Sequence, residues 1–481
     1  MPVIKNKIFV YLVTRYLTYG LQFVLSLIIA VRLGPYFLGV YGLVNLILNY
    51  FGQINFGIPH SLNVLLIHSK DDSEMQRNYT FNSCIILSVF SFVIVLGAVI
   101  WVLIGGVQMG EYDIRLYFPL IIIIAILAYF NTIVTTVVRF QNRVQLLSII
   151  GTIPVLMNLF VVLFFESEEL VLALVCANLL SCIIVLIIGV SKGVFARFER
   201  KVISLPTQKQ IVRKGMYLFL YNSCFYFILL SVKTIISSNY SVEEFGYFTF
   251  SYTIANAVML LLDSLNTIIF PKSIDILSNK NSADRLSVLN KLRVGYITSS
   301  HFLVYISMVT YPFFIMLFPQ YSKALTSMNI VSLAVLMNTN SYGYITLLIA
   351  QNKERTTYMI STCALMITII VGISLARFVR VEFSFVVISM LIAYLVFSFM
   401  ATYEGSKLLG EKSSFSYTIR HFFPLKLFIP YGVAFILSIL KYQVLAVWPL
   451  LIFAVLNWRD IKYLITLVVK LKNNPNIIDI K

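Results

Sequence analysis

Fourteen stretches of mostly apolar residues follow one another along this chain. All but the last, which is short, reach or exceed the roughly 20 residues that a helix needs to cross the hydrocarbon core of a bilayer. They fall near residues 8–31, 37–66, 79–104, 116–138, 145–165 and 170–190, then near 215–238, 245–270, 294–318, 324–350, 357–376 and 383–403, and finally near 421–440 and 443–457. Only 12% of the residues are charged and 59% are hydrophobic, against about 25% charged in a soluble domain. A soluble globular fold and a disordered chain are both excluded, because neither accommodates so much Phe, Ile and Leu. The sequence predicts an all-α polytopic membrane protein.

The net charge of +17 resembles a nucleic-acid signal, but its placement points elsewhere. With a cytoplasmic N-terminus, 28 of the 37 Lys and Arg residues fall in cytoplasmic loops and tails and six fall outside, with Arg15, Lys233 and Lys426 inside spans. That asymmetry is the positive-inside pattern. It places both termini in the cytoplasm and leaves no need for nucleic acid. Arg377 and Arg380 are an unexplained basic pair on the outside. The predicted organisation is a six-helix lobe over 1–190, a basic cytoplasmic linker over 191–214, a second six-helix lobe over 215–410, two further helices over 411–458, and a basic amphipathic tail over 459–481 lying in the membrane interface.

The halves carry an internal repeat. Phe37-Leu38-Gly39-Val40-Tyr41 parallels Glu244-Phe245-Gly246-Tyr247-Phe248, and Asn131-Thr132 parallels Asn338-Thr339, both at an offset of 207 residues. Gln141-Asn142 and Gln351-Asn352 follow at 210, a drift of one helical turn. Six helices per repeat is an even number, so the halves share their orientation. The outside loops are short, and His60, His68, His301 and His421 are scattered. Cys84, Cys176, Cys182, Cys224 and Cys363 lie in apolar runs without the close spacing of a metal or redox site. No enzymatic constellation, metal centre or cofactor site is expected.

The run Arg32-Leu33-Gly34-Pro35-Tyr36-Phe37-Leu38-Gly39-Val40-Tyr41-Gly42, followed by Asn55-Phe56-Gly57-Ile58-Pro59, resembles the N-terminal signature of Wzx-type polysaccharide flippases. These form the polysaccharide transporter branch of the superfamily that also holds the drug/cation antiporters and the lipid II flippase. The resemblance implies a bacterial inner-membrane transporter. By alternating access between two lobes it would move undecaprenyl-pyrophosphate-linked oligosaccharide repeat units, as in O-antigen, lipopolysaccharide or capsule synthesis, from the cytoplasmic to the outer leaflet. Membrane lipids and the polymerase and chain-length machinery of the same pathway are the expected partners, with proton or sodium coupling as the open choice of driving ion.

Charges within a span are costly and need a reason. Arg15 is a candidate ligand for the pyrophosphate, because guanidinium meets phosphate oxygens bidentately; the other reading is that it snorkels to the interface. Asp263, at similar depth in the second half, is its partner or a coupling site. Arg32 and Lys233 offer a second cationic stop, and Arg139, four residues before Arg143, offers an entry-side attraction; ordinary interfacial charge is the alternative for all three. Asn131 and Thr135, then Tyr217, Tyr221 and Asn222, then Asn338, Asn340 and Tyr342 are polar clusters within spans. They suit sugar hydroxyls in a wetted lumen, or else act as glue between helices. Gly57 and Pro59 mark a kink, and so a candidate gate, in a long second helix. Against export of small organic cations stands the scarcity of intramembrane carboxylates.

Overall fold

The computed structural model describes residues 2–104, 108–109, 111–195, 203–214, 216–258, 277, 282–409 and 415–473. Apart from a two-stranded hairpin they form helices. Among the described residues nine helices are long and apolar enough to span a membrane, or eleven when each of two bent pairs counts as one span. The fourteen stretches read from the sequence include one, near 245–270, that runs into residues outside the description. The chain divides into two compact units, one comprising 1–223 with 241–246 and the other 224–240 with 247–481.

In the first unit α1 (Pro2–Gln53) is two helical segments joined across a kink at Gly34. Pro35 then opens the second segment, where its missing N–H leaves no intrahelical bond unmade. The helix stops at Gln53 and restarts as α2 (Ile58–His68). Next come α3 (Ser73–Leu103), the hairpin β1 (Gln108–Met109) and β2 (Tyr112–Asp113), then α4 (Phe118–Phe140), α5 (Val144–Phe164) and α6 (Ser167–Ser191). Asp72 caps α3, its carboxylate accepting from the Met75 N–H at 2.9 Å, as expected of an N-cap aspartate. Tyr112 is buried against Phe245. That burial, with Glu111 and Glu243 nearby, holds its phenol above the ordinary tyrosine range.

The predicted linker is partly structured. Residues Leu205–Lys214 form α7, whose buried Ile211 faces inward. The Asn82 side chain of α3 accepts from the Ser204 N–H at 3.1 Å and from Gln208 at 3.2 Å. This segment is therefore attached to the first unit by its polar residues as well as its apolar ones.

The second unit takes up most of α8 (Met216–Asn239) and most of α9, described over residues 242–258. It continues with α10 (Ser282–Leu317), α11 (Leu325–Thr339), α12 (Tyr344–Ala350) and α13 (Glu354–Ile373), which runs into a π-helical turn at Ser374–Val379. After α14 (Phe383–Val386) come α15 (Ile388–Leu408), α16 (Phe415–Phe422), α17 (Leu425–Ile439), α18 (Val447–Leu456) and α19 (Trp458–Asn473). α10 starts well before the predicted 294, which brings Arg293 into a buried helix face instead of a loop. α19 turns by 76° from the segment before it, and Asp460 pairs with Lys426 near the turn.

The repeat has a physical form at the ends of α4 and α12. Gln141 N–H bonds to Val137 O, Asn142 to Arg139 O and Arg143 to Val138 O; Gln351 bonds to Leu347 O, Asn352 to Ile349 O and Lys353 to Leu348 O. Both asparagines are left-handed, at φ 53° and 54°. Asparagine tolerates that conformation better than most residues, and the pattern is the same Schellman-type cap twice.

Candidate transport site

Between α11 and α12 the helix breaks at Asn340–Gly343. The second repeat holds three more residues than the first between its Asn-Thr and Gln-Asn marks, and this break lies in that interval. Gly343 takes φ +85°, open to glycine at little cost. A break inside a membrane protein frees backbone carbonyls that no water meets. Arg293 meets them: its guanidinium donates to Asn340 O at 2.8 Å and Tyr342 O at 2.9 Å, and to His421 O at 3.1 Å. It also lies 4.4 Å from the Tyr344 ring centroid. Tyr342 stacks on Tyr296 with centroids 3.9 Å apart. The Asn340 side-chain oxygen faces His301 Nε2 at 3.4 Å, and His301 Nδ1 faces the Tyr305 hydroxyl at 3.2 Å. Asn340 is fully buried and Tyr342 half-buried, so Asn340 is a packed part of the break, while Tyr342 retains an accessible edge. Asn338 is half-buried, and its carbonyl accepts from Ser341.

The first unit has its own break, at Ile54–Gly57. Gly57 is left-handed at φ +70°, and a Cβ there would sit 2.6 Å from Phe219. The Tyr129 hydroxyl donates to Phe51 O at 2.5 Å, Ser223 donates to Gln53 Oε1 at 3.2 Å, and the Asn55 carboxamide oxygen accepts from the Gly57 N–H at 2.8 Å. Pro59 lies in the first turn of α2. The expected proline kink is thus corrected: Gly57 makes the break, and Pro59 starts a new helix where it removes no hydrogen bond.

The other candidates separate by environment. Asn131 on α4 donates to Cys182 O at 3.1 Å, and its buried Oδ1 has no partner. Thr135 donates to Thr132 O in its own helix. Tyr221 is half-buried and Asn222 exposed on α8. Arg32 is paired with Glu166, so its charge is already met. Arg139 is exposed in the last turn of α4. Lys233 on α8 is half-buried with its ammonium 4.6 Å from the Tyr252 ring centroid, and no carboxylate among the described residues pairs with it. Arg15 and Tyr217 lie in helices, but their side chains are outside the described residues, as is all of Asp263. Among the described residues no Asp or Glu is buried and no group of His, Cys, Asp and Glu could hold a metal.

The family described as polysaccharide biosynthesis protein matches residues 4–276, more than half of the chain. The chain belongs to this family. No curated protein matches it. The solved lipid II flippase MurJ, in an inward closed conformation, is similar to it at TM-score 0.63 and 12% identity over 94% of this chain and 99% of that one. An inward-facing multidrug resistance MATE family transporter of the MOP superfamily is similar at TM-score 0.62 and 12% identity over 82% and 96%. A MOP superfamily transporter from Pyrococcus furiosus is similar at TM-score 0.52 and 13% identity over 84% and 96%. These likenesses identify the fold, a multi-pass helical membrane architecture.

For this polysaccharide biosynthesis protein the sequence reading missed Arg293 and His301 as buried groups. The signal was present at four-residue spacing. Leu289, Arg293, Ile297, His301 and Tyr305 are all buried, and positions four apart share a helix face.

Proposed function

We propose that this protein is a Wzx-type flippase. Its cargo is an undecaprenyl-pyrophosphate-linked oligosaccharide, moved from the cytoplasmic to the outer leaflet of a bacterial inner membrane by alternating access. The observation that carries the reading is membership of the polysaccharide biosynthesis protein family; the MurJ-like fold supports a lipid-linked cargo. The charge inside the spans agrees with an anionic head group. Lys233 lacks a carboxylate partner among the described residues, and no described carboxylate is buried. Arg15 and Lys233 are the proposed contacts for the diphosphate, with Tyr221, Asn222, Asn338 and Tyr342 offering polar edges to the sugar. Asp263 remains the proposed partner or coupling group, with a proton or sodium ion as the driver.

The MATE-like fold supports one other reading, an ion-coupled antiporter for small organic cations. A cation binds where carboxylates are buried, and the described residues offer none. Deleting the gene and fractionating lipid-linked sugars separates the two. The flippase reading expects undecaprenyl-linked oligosaccharide to accumulate on the inner leaflet. No accumulation, with increased sensitivity to organic cations, would replace it with the antiporter.

A further inference from the structure

The loop after α13, expected on the outside, breaks the positive-inside pattern, and its geometry gives a reason. α13 ends in a π-helical turn, Ser374–Val379, followed by Arg380 in a left-handed conformation at φ 55°. Left-handed backbone is unfavourable for arginine by about 1–2 kcal/mol and persists only where its surroundings fix it. Three ties do so. The Tyr240 hydroxyl donates to Val381 O at 2.6 Å, Val381 N–H bonds to Leu375 O, and Arg377 Nε donates to Asn239 Oδ1 at 3.0 Å. The result is four successive exposed side chains, Arg377, Phe378, Val379 and Arg380, with Phe378 81% and Val379 64% accessible.

No carboxylate among the described residues pairs with either arginine. Glu382, the nearest in sequence, is held by Lys441 at 2.9 and 3.0 Å. Because Asn239 takes only the Nε of Arg377, both terminal nitrogens stay available. Simple snorkelling would require neither the π turn nor the Asn239 contact.

We propose that this turn binds the phosphate of an anionic phospholipid in the outer leaflet, with Arg377 and Arg380 gripping the headgroup and Phe378 and Val379 inserted beside its acyl chains. Guanidinium is weakly hydrated and matches phosphate geometry, and an aromatic ring at the bilayer interface is a common anchor. The site does not depend on the identity of the cargo, so its test involves no transport.

The full-length protein is released from nanodiscs of phosphatidylcholine with phosphatidylglycerol, and its retained lipids are counted by native mass spectrometry. The double variant Arg377→Gln/Arg380→Gln is expected to retain about tenfold less of the tightest-held phosphatidylglycerol, with phosphatidylcholine retention unchanged. Equal phosphatidylglycerol retention by variant and wild type overturns the proposal. Should the double variant not fold, Arg380→Gln alone alters a side chain with no assigned contact and is expected to give a smaller loss in the same direction. No loss there overturns the proposal equally.

Discussion

Gly39 and Gly246 stand in a reciprocal contact. A Cβ on Gly39 would lie 2.1 Å from the carbonyl oxygen of Val242, and a Cβ on Gly246 would lie 1.8 Å from that of Pro35. The two glycines are 207 residues apart, and so are the two carbonyls. Each segment therefore presents to the other the same glycine and the same oxygen four residues before it. Close backbone approach through small residues is a principal way for helices to associate in lipid, where apolar side chains gain little from meeting one another.

The first prediction follows from that contact. Gly246→Ala is expected to force the two segments apart, lowering both the melting temperature in detergent and the proposed glycan export, and Gly39→Ala should act in the same way. Gly97→Ala, with nothing within 4 Å of its added carbon, serves as the comparison and should shift stability by less than about 0.5 kcal/mol. Equal melting temperatures for all three variants would show that the close approach carries no weight.

A second prediction concerns Arg293. Replacing it by Met removes the donors that satisfy Asn340 O, Tyr342 O and His421 O. Each carbonyl left unmet costs about 1–3 kcal/mol. A marked fall in folded yield and melting temperature is expected, with Arg293→Lys intermediate because a lysine ammonium cannot reproduce the planar fork. Arg293→Met protein that melts with the wild type would remove the clamp from the account.

The break before α2 supplies a third. Gly57→Ala must adopt φ +70° and fit a carbon 2.6 Å from Phe219, so a loss of at least ~1 kcal/mol is expected. Pro59→Ala removes no kink and should change stability by less than that. Reversed magnitudes in thermal unfolding would return the role of hinge to the proline.

Much of this architecture was legible in the sequence because membrane spans and repeats are written in hydropathy and spacing. The matched Gln-Asn pairs reappear as identical helix caps, and the matched glycines meet. The shift from 207 to 210 read as one more helical turn; in the structure the same interval contains a break. Hydropathy does not distinguish these, since a turn and a break both add residues to an apolar segment. What decides is a long-range partner, Arg293, about fifty residues earlier in a stretch polar enough to resemble a loop. The candidate cations were legible as residue types but not as pairs. Only the fold shows that Arg32 meets Glu166 while Lys233 meets a ring.

That difference makes Lys233 the sharpest test of an anionic cargo. Its ammonium lies over Tyr252 at 4.6 Å, a contact that stabilises a cation without neutralising it. A moving diphosphate would gain a charge-assisted contact there, worth about 1.5–3 kcal/mol, or roughly tenfold or more in rate where that contact is made only at the barrier. Lys233→Gln is therefore expected to slow export of lipid-linked oligosaccharide about tenfold at equal protein level, and Lys233→Arg to preserve most of it. Were Lys233 merely a packing residue, Gln and Arg would act through stability alone, and export per folded molecule would not distinguish them. Export assayed in cells, normalised to membrane-extracted folded protein, makes that distinction directly.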